Sequence, residues 1–246
     1  SVLHAINNFR QDLNLVGVDY AKISPSLTVK KSKDKDIRFI GETNITALPF
    51  DDDSFDFVTS QFGFEYAETQ KAAKELGRVL RCKGQCQLVV HHPDSEILAS
   101  SAKRLQELSW LIASNGLLGK LGLYLENKIS AEQFESFGQK YIQEYKGFLT
   151  KGITGQIYTV IGGIISQKEK QGFSKFAIES TENLNGRVMA EVSRLTQLKS
   201  AAMSEAQINE LVDLIGLKRE TVKIEVLSPF NAPSLVYAWV VNGTKL

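Results

Sequence analysis

Short apolar segments that alternate with a helical pattern occupy the first ninety residues of the chain. Segments of strand length lie at 13–19 (LNLVGVD), 37–40 (IRFI), 54–66 (SFDFVTSQFGFEY) and 85–90 (QCQLVV), and helical spacing occupies 70–80. Buried apolar strands followed by helices are typical of a parallel sheet that is covered on both faces. The pattern predicts an α/β fold with an open, doubly wound sheet, whose ligands bind at the carboxyl ends of the strands.

The middle of the chain has a different pattern. Helical spacing predicts helices at 96–115, 131–149, 154–170, 175–199 and 204–215, and the chain ends in two alternating strands, TVKIEVL and LVYAWVVNG. More than a hundred residues are too many for one crossover connection. We therefore predict a core formed by 1–94 and 204–246, with a helical insertion or lid at 95–203.

Composition excludes several classes of protein. The 29 basic and 28 acidic side chains of the 246 residues leave a net charge of +1, which gives no broad basic surface for nucleic acid. Cys82 and Cys86 are too few for a disulfide framework, and a zinc site needs about four ligands. No apolar run is long enough to span a bilayer, and no signal-peptide pattern is present. These features predict a soluble cytoplasmic protein.

Four phrases follow one another between Val16 and Val90: VGVDYA, IRFI, ALPFDDDSFDFVTS and AAKELGRVLRCKGQ. In combination they resemble class I S-adenosylmethionine-dependent methyltransferases of the small-molecule type. The resemblance implies a mostly parallel seven-stranded sheet with a C-terminal antiparallel hairpin, S-adenosylmethionine as cofactor, S-adenosylhomocysteine as product, and a small-molecule acceptor. Because the chain opens in a helical pattern, the family's first strand and glycine-rich loop are expected upstream of Ser1.

The resemblance implies roles for residues that follow the first two strands. Asp19 matches the acid that binds the ribose hydroxyls of the cofactor, and a carboxylate at a strand end can itself accept hydrogen bonds from two vicinal hydroxyls. Tyr20 is expected to pack against the adenine. Asn44 stands where the family usually has an aspartate near the adenine amino group, with Ile45 beside the ring. Because this loop is about one residue longer than usual, Glu42 is an alternative to Asn44.

Residues at the ends of the next two strands are expected to contact the methyl group and the acceptor. Gln61 and Phe62 are placed near the cofactor, and Tyr66 near the acceptor. His91 is the candidate general base, because the pKa of histidine lies near neutrality, and His92 is a second acceptor contact. The alternative for the two histidines is a hydrogen-bonded structural pair.

Two other functions stay open at this point. A catalytically degenerate methyltransferase fold that acts as a binding module would explain Asn44 and the RCKGQC segment, which both depart from the family pattern. A nicotinamide-dependent oxidoreductase shares the alternation of strands and helices, but the LPF-SFD segment and the C-terminal hairpin do not suit it. The sequence does not identify the acceptor.

Overall fold

A computed structural model describes residues 2–10, 12–23, 37–113, 115–144, 153–171 and 175–246. In chain order its elements are α1 (Val2–Phe9), β1 (Leu15–Val18), β2 (Ile37–Ile40), β3 (Phe55–Gln61), α2 (Thr69–Val79), β4 (Leu80–His91), α3 (Glu96–Ile112), α4 (Leu117–Leu125), α5 (Ala131–Glu144), α6 (Ile153–Gln171), α7 (Lys175–Ala201), α8 (Glu205–Ile215), β5 (Lys223–Leu227) and β6 (Ala238–Thr244). The chain forms two compact units. Residues 1–96 and 201–246 make the α/β unit, and residues 97–200 make the helical unit.

The strands of the α/β unit form two sheets. β1 and β2 pair in parallel, and a second sheet has the order β3-β4-β6-β5. In that sheet β3 and β4 are parallel, whereas β6 is antiparallel to both β4 and β5. The α/β class is therefore confirmed. The single seven-stranded sheet stays a prediction, since the described residues show four strands in one sheet and two in the other.

The core of the α/β unit lies where α2 and α8 pack on the four-stranded sheet. Its buried side chains come from both helices and the central strands; they include Leu76, Leu88, Val90, Ile208, Leu211, Val212 and Val241. Gly77 allows the helices to approach closely, because a Cβ at that position would lie 2.6 Å from the carbonyl oxygen of Ile215. A capping box of Ser204 and Gln207 begins α8, and Gly216 ends it in the left-handed conformation with φ 78°.

The two longest phrases of the sequence resemblance meet in one polar network. Glu75 of α2 accepts the backbone N–H of Leu48 at 2.7 Å and also binds Arg78, whose guanidinium reaches Asp52 at 2.7 Å. The Arg78 guanidinium further donates to the carbonyl of Leu48 at 3.2 Å. These contacts hold the loop before β3 against α2. The ALPFDDDSFD and KELGRVL phrases are thus joined by charge-assisted hydrogen bonds.

The segment before the predicted strand at 85–90 is already extended, and Lys83 within it has a positive φ of 63°. β4 begins directly after α2 at Leu80, and its pairing with β3 shifts register between Phe55 and Phe57. Gly84 is needed in this segment, because a Cβ there would lie 2.7 Å from the Leu80 side chain.

The helical unit has a core of its own. Its buried side chains come from several helices and include Leu108, Leu111, Leu121, Ile161 and Leu195. The helix predicted at 96–115 ends instead at Ile112, and the apolar block LLGKLGLYL forms the separate helix α4. Gly116 makes this break possible, because a Cβ there would come within 2.3 Å of the Trp110 carbonyl oxygen. The end of the helix predicted at 131–149 lies outside the described residues.

Within the described ranges, no helix is both long enough and apolar enough to cross a membrane.

Candidate functional site

The end of β1 is tied to the loop that follows β2. Asp19 donates its backbone N–H to Ile40 and accepts the N–H of Thr43, at 3.1 and 2.9 Å. Its exposed carboxylate accepts the N–H of Ala21 at 2.8 Å through Oδ1. Backbone pairing thus places an exposed carboxylate beside the loop that begins at Gly41, as expected for residues after neighbouring parallel strands.

The other residues predicted to contact the adenine differ in their exposure to solvent and in their hydrogen bonds. Tyr20 is 80% exposed, and Glu42 is exposed with a φ of 53°. Asn44 accepts hydrogen bonds from both the N–H and the hydroxyl of Thr46, so part of its side chain stabilises a local turn. Ile45 packs partly against the core of the α/β unit. Of the residues predicted around the adenine and ribose, Asp19, Tyr20, Glu42 and Asn44 are exposed, and Ile45 is half-buried.

An open cleft lies between α1 and the end of β3. Its volume is about 580 Å³, and Gln61 lines it opposite residues of the helix: Val2, Ala5, Ile6, Phe9 and Arg10. Gln61 itself is exposed. The structure therefore places one of the residues predicted for the cofactor on the wall of a cleft.

A cluster of aromatic side chains surrounds His91 at the ends of β3 and β4. Phe62, held at a φ of 53°, stacks on the His91 ring with centroids 4.6 Å apart, and Tyr237 meets Phe62 edge-on at 6.3 Å. The hydroxyl of Tyr66 lies 3.2 Å from His91 Nε2. Two predicted site residues, Phe62 and Tyr66, thus both contact a third, His91.

A buried carboxylate completes this cluster. Glu65 Oε1 accepts the backbone N–H of His91 at 3.2 Å and lies 3.7 Å from His91 Nε2, while Glu65 Oε2 is buried with no hydrogen-bond partner among the described residues. Burial raises the pKa of Glu65 above its usual value, against the opposing effect of nearby backbone N–H groups. Burial also lowers the pKa of His91, which favours the neutral imidazole.

The two histidines lie on different sides of the strand end. The ring of His92 packs on Trp239 with centroids 4.2 Å apart, and its Nδ1 accepts the N–H of Asp94 at 3.0 Å. Alternation along a strand predicts that only one of two successive side chains points to a given face. His92 is therefore placed apart from the cluster around His91.

Two members of the cluster were not among the predicted site residues. Glu65 had no predicted role, although a carboxylate between two aromatic residues, Phe64 and Tyr66, is itself a signal. Tyr237 precedes β6, and its approach to Phe62 depends on the antiparallel pairing of β6 with β4. No feature of the local sequence indicates that contact.

Comparison with known proteins agrees with the sequence resemblance. Residues 2–88 match the family model described as a methyltransferase domain. An uncharacterized methyltransferase, YcgJ of Bacillus subtilis, is 31% identical over 97 residues, which are 38% of this chain and 38% of that protein. The demethylmenaquinone methyltransferase of Thermus thermophilus is 32% identical over 124 residues, or 49% of this chain and 56% of the relative. The resemblance to methyltransferases is thereby confirmed for this part of the chain.

The chain spans less than two thirds of the length of each of the two curated relatives. The crystal structure of YcgJ from Bacillus subtilis aligns over 98% of this chain and 87% of that one, with 14% identity and a TM-score of 0.38. A likeness at that level supports no conclusion about this chain.

Proposed function

We propose that this chain is part of an S-adenosylmethionine-dependent methyltransferase that acts on a small-molecule acceptor. The observation that carries the proposal is the exposed carboxylate of Asp19 at the end of β1, within the segment that matches the methyltransferase domain. A cytoplasmic location is proposed from cysteine usage alone.

The residues present fit the cofactor. A carboxylate can accept hydrogen bonds from both ribose hydroxyls, which is the role proposed for Asp19. The exposed ring of Tyr20 is proposed to cover the adenine, with Asn44 or Glu42 near its amino group and Ile45 beside it. When bound, S-adenosylmethionine supplies a methyl group that its positive sulfur has already activated.

The acceptor is proposed to bind beside the cluster of Phe62, Tyr66 and His91. Because the methyl group is already activated, the protein mainly has to align the acceptor for in-line attack and exclude water. Alignment of this kind can account for roughly 7–11 kcal/mol of a barrier. His92 was predicted as a further acceptor contact; its packing on Trp239 favours a structural role.

The helical unit is proposed to take part in binding the acceptor. It interrupts the α/β unit between β4 and α8, directly after the strand that ends at His91. The name of the Thermus thermophilus relative describes a small-molecule acceptor, which favours that class here. A degenerate binding module is the second candidate, because Asn44 stands in place of the usual acid and its side chain binds its own turn.

Calorimetric titration of S-adenosylmethionine into the full-length protein tests this proposal. Asp19→Asn keeps an oxygen for the Ala21 N–H but removes the charge, so we expect affinity to fall by one hydrogen bond to a charged group, about 1.5–3 kcal/mol or roughly 10- to 150-fold. Glu225→Gln makes the same charge change at an exposed site on β5 and should leave affinity unchanged. No binding to the folded wild-type protein would refute the proposal, whereas binding without methyl transfer to any acceptor would favour the degenerate module.

A further inference from the structure

The two ring nitrogens of His91 have unlike surroundings. Nδ1 is buried and has no hydrogen-bond partner among the residues that the structure describes. Nε2 lies 3.2 Å from the hydroxyl oxygen of Tyr66 and 3.7 Å from Glu65 Oε1. The two possible neutral forms of the ring therefore differ in how well their polar atoms are satisfied.

This difference determines which nitrogen carries the proton. A buried N–H without an acceptor is rarer in proteins than a buried acceptor without a donor, because the N–H loses its only hydrogen bond. A proton on Nδ1 would have no partner, whereas a proton on Nε2 points toward Tyr66 and the carboxylate of Glu65. The lowered pKa of His91 agrees with a neutral ring.

A histidine in this form cannot serve as the general base. Its only lone pair is on Nδ1, which no acceptor can reach, and its Nε2–H is a donor. Tyr66 is the accessible member of the pair: it is 46% exposed, compared with 6% for His91, whose ring Phe62 covers.

We propose that Tyr66, rather than His91, is the residue that contacts the acceptor, and that His91 is a positioning residue that donates Nε2–H to the Tyr66 oxygen. Glu65 holds the backbone of His91 through Oε1, and Phe62 stacks on the imidazole ring. The inference rests on the proposed function, since it concerns how the same site meets its acceptor. It revises the role that the sequence predicted for His91 and brings Glu65 into the site. It also predicts that the acceptor presents an oxygen or nitrogen to the phenol.

Nitrogen-15 spectra of histidine-labelled protein test the tautomer without cofactor or acceptor. The chain has three histidines, so His4→Gln and His92→Gln variants assign the His91 signals. We expect His91 to be neutral at pH 7, with the proton on Nε2, and to keep that form in Tyr66→Phe, because Nδ1 stays without a partner in that variant. A proton on Nδ1, or a doubly protonated ring at pH 7, would overturn the proposal.

Release of S-adenosylhomocysteine with a panel of small phenols and amines tests the roles of the side chains. In the His91→Gln variant, the glutamine side chain places an amide N–H near the position of Nε2 but cannot act as a base. Turnover of this variant should therefore stay within about threefold of wild type. His91→Leu and Tyr66→Phe should each lose about tenfold or more, as expected for one lost hydrogen bond. Loss of turnover in His91→Gln together with full activity in Tyr66→Phe would contradict the assignment.

These measurements separate the inference from the proposed function. If wild-type protein fails to bind S-adenosylmethionine in the calorimeter, the proposed function fails whatever the form of His91. If the cofactor binds but His91 carries its proton on Nδ1, only the inference fails.

Discussion

Removal of the Glu75 carboxylate is predicted to loosen the loop between β2 and β3, which carries Asn44 and Ile45. Glu75 Oε1 accepts the Leu48 N–H at 2.7 Å, and the two carboxylate oxygens bind Arg78 at 2.7 and 2.9 Å. The Glu75 side chain is 15% exposed and that of Arg78 is 32% exposed, so solvent screens this pair less than a surface pair.

The magnitude follows from the bonds that each variant loses. Glu75→Ala leaves the Leu48 N–H without its charged acceptor, which costs about 1.5–3 kcal/mol, and loss of the ion pair adds at most about 1 kcal/mol. We expect a total of roughly 2–3 kcal/mol. Glu75→Gln keeps an acceptor oxygen and should cost about 1 kcal/mol. The control is Arg81→Met, which breaks the exposed pair with Asp56 and should cost between zero and about 1 kcal/mol.

Amide hydrogen exchange at Leu48 measures the effect locally, which suits a chain with two compact units. A cost of 2–3 kcal/mol corresponds to exchange roughly 30- to 140-fold faster in Glu75→Ala. Affinity for S-adenosylmethionine should fall as well, although Glu75 is not proposed to touch the cofactor. An increase of less than about threefold at Leu48 would refute the reasoning, because it would mean that the network does not hold the loop.

The same network predicts a dependence on pH. Hydrogen bonds from the Arg78 guanidinium hold the pKa of Glu75 below its ordinary value of 4.5. The unfolded chain therefore binds the proton more readily than the folded chain. The stabilisation is present above pH 4.5 and is lost as the pH falls through the lower pKa of the folded state. Protection of Leu48 should decrease in that window in wild type but stay constant in Glu75→Gln.

Two further substitutions test the packing of α8. Gly77→Ala would place a Cβ 2.6 Å from the Ile215 carbonyl oxygen, so we expect about 1–3 kcal/mol of destabilisation by urea denaturation of the α/β unit within the whole protein. Gly138→Ala is the control, because a Cβ there meets nothing within 4 Å and should be neutral or slightly stabilising; an equal loss in both variants would contradict the steric argument. Ser204→Ala should cost about 1 kcal/mol through loss of the cap on α8, and Ser204→Asp should restore most of it; no loss in the alanine variant would show that the cap is dispensable.

The break between α3 and α4 shows where local pattern failed. Helical spacing predicted an end at residue 115, but α3 ends at Ile112, and the separate helix α4 was not predicted. The chain turns because Gly116 lets its backbone approach the carbonyl of Trp110, and a close approach of this kind depends on the fold of the segment. Gly84 is likewise required by a close approach, since a Cβ there would lie 2.8 Å from the carbonyl oxygen of Arg81.

The candidate site also combines features that the local sequence predicts with features that depend on tertiary packing. The positions of Asp19, Gln61 and His91 at strand ends follow from the alternation of apolar strands with polar segments, because the carboxyl ends of parallel strands carry the ligand-facing loops. The sequence also indicated that His91 and His92 point to opposite faces. Both conclusions rest on local geometry, which the order of side chains along one segment specifies.

Only the tertiary structure decided the chemical state of those side chains. The contact of His91 with Tyr66, the burial of Glu65 beside it and the approach of Tyr237 to Phe62 depend on several segments packing together. Burial and neighbouring charge set the pKa and tautomer of a histidine, and neither can be read from the residues that flank it. The sequence therefore determined which residues stand at the strand ends, and the packing of the chain determined that His91 is buried beside the more exposed Tyr66.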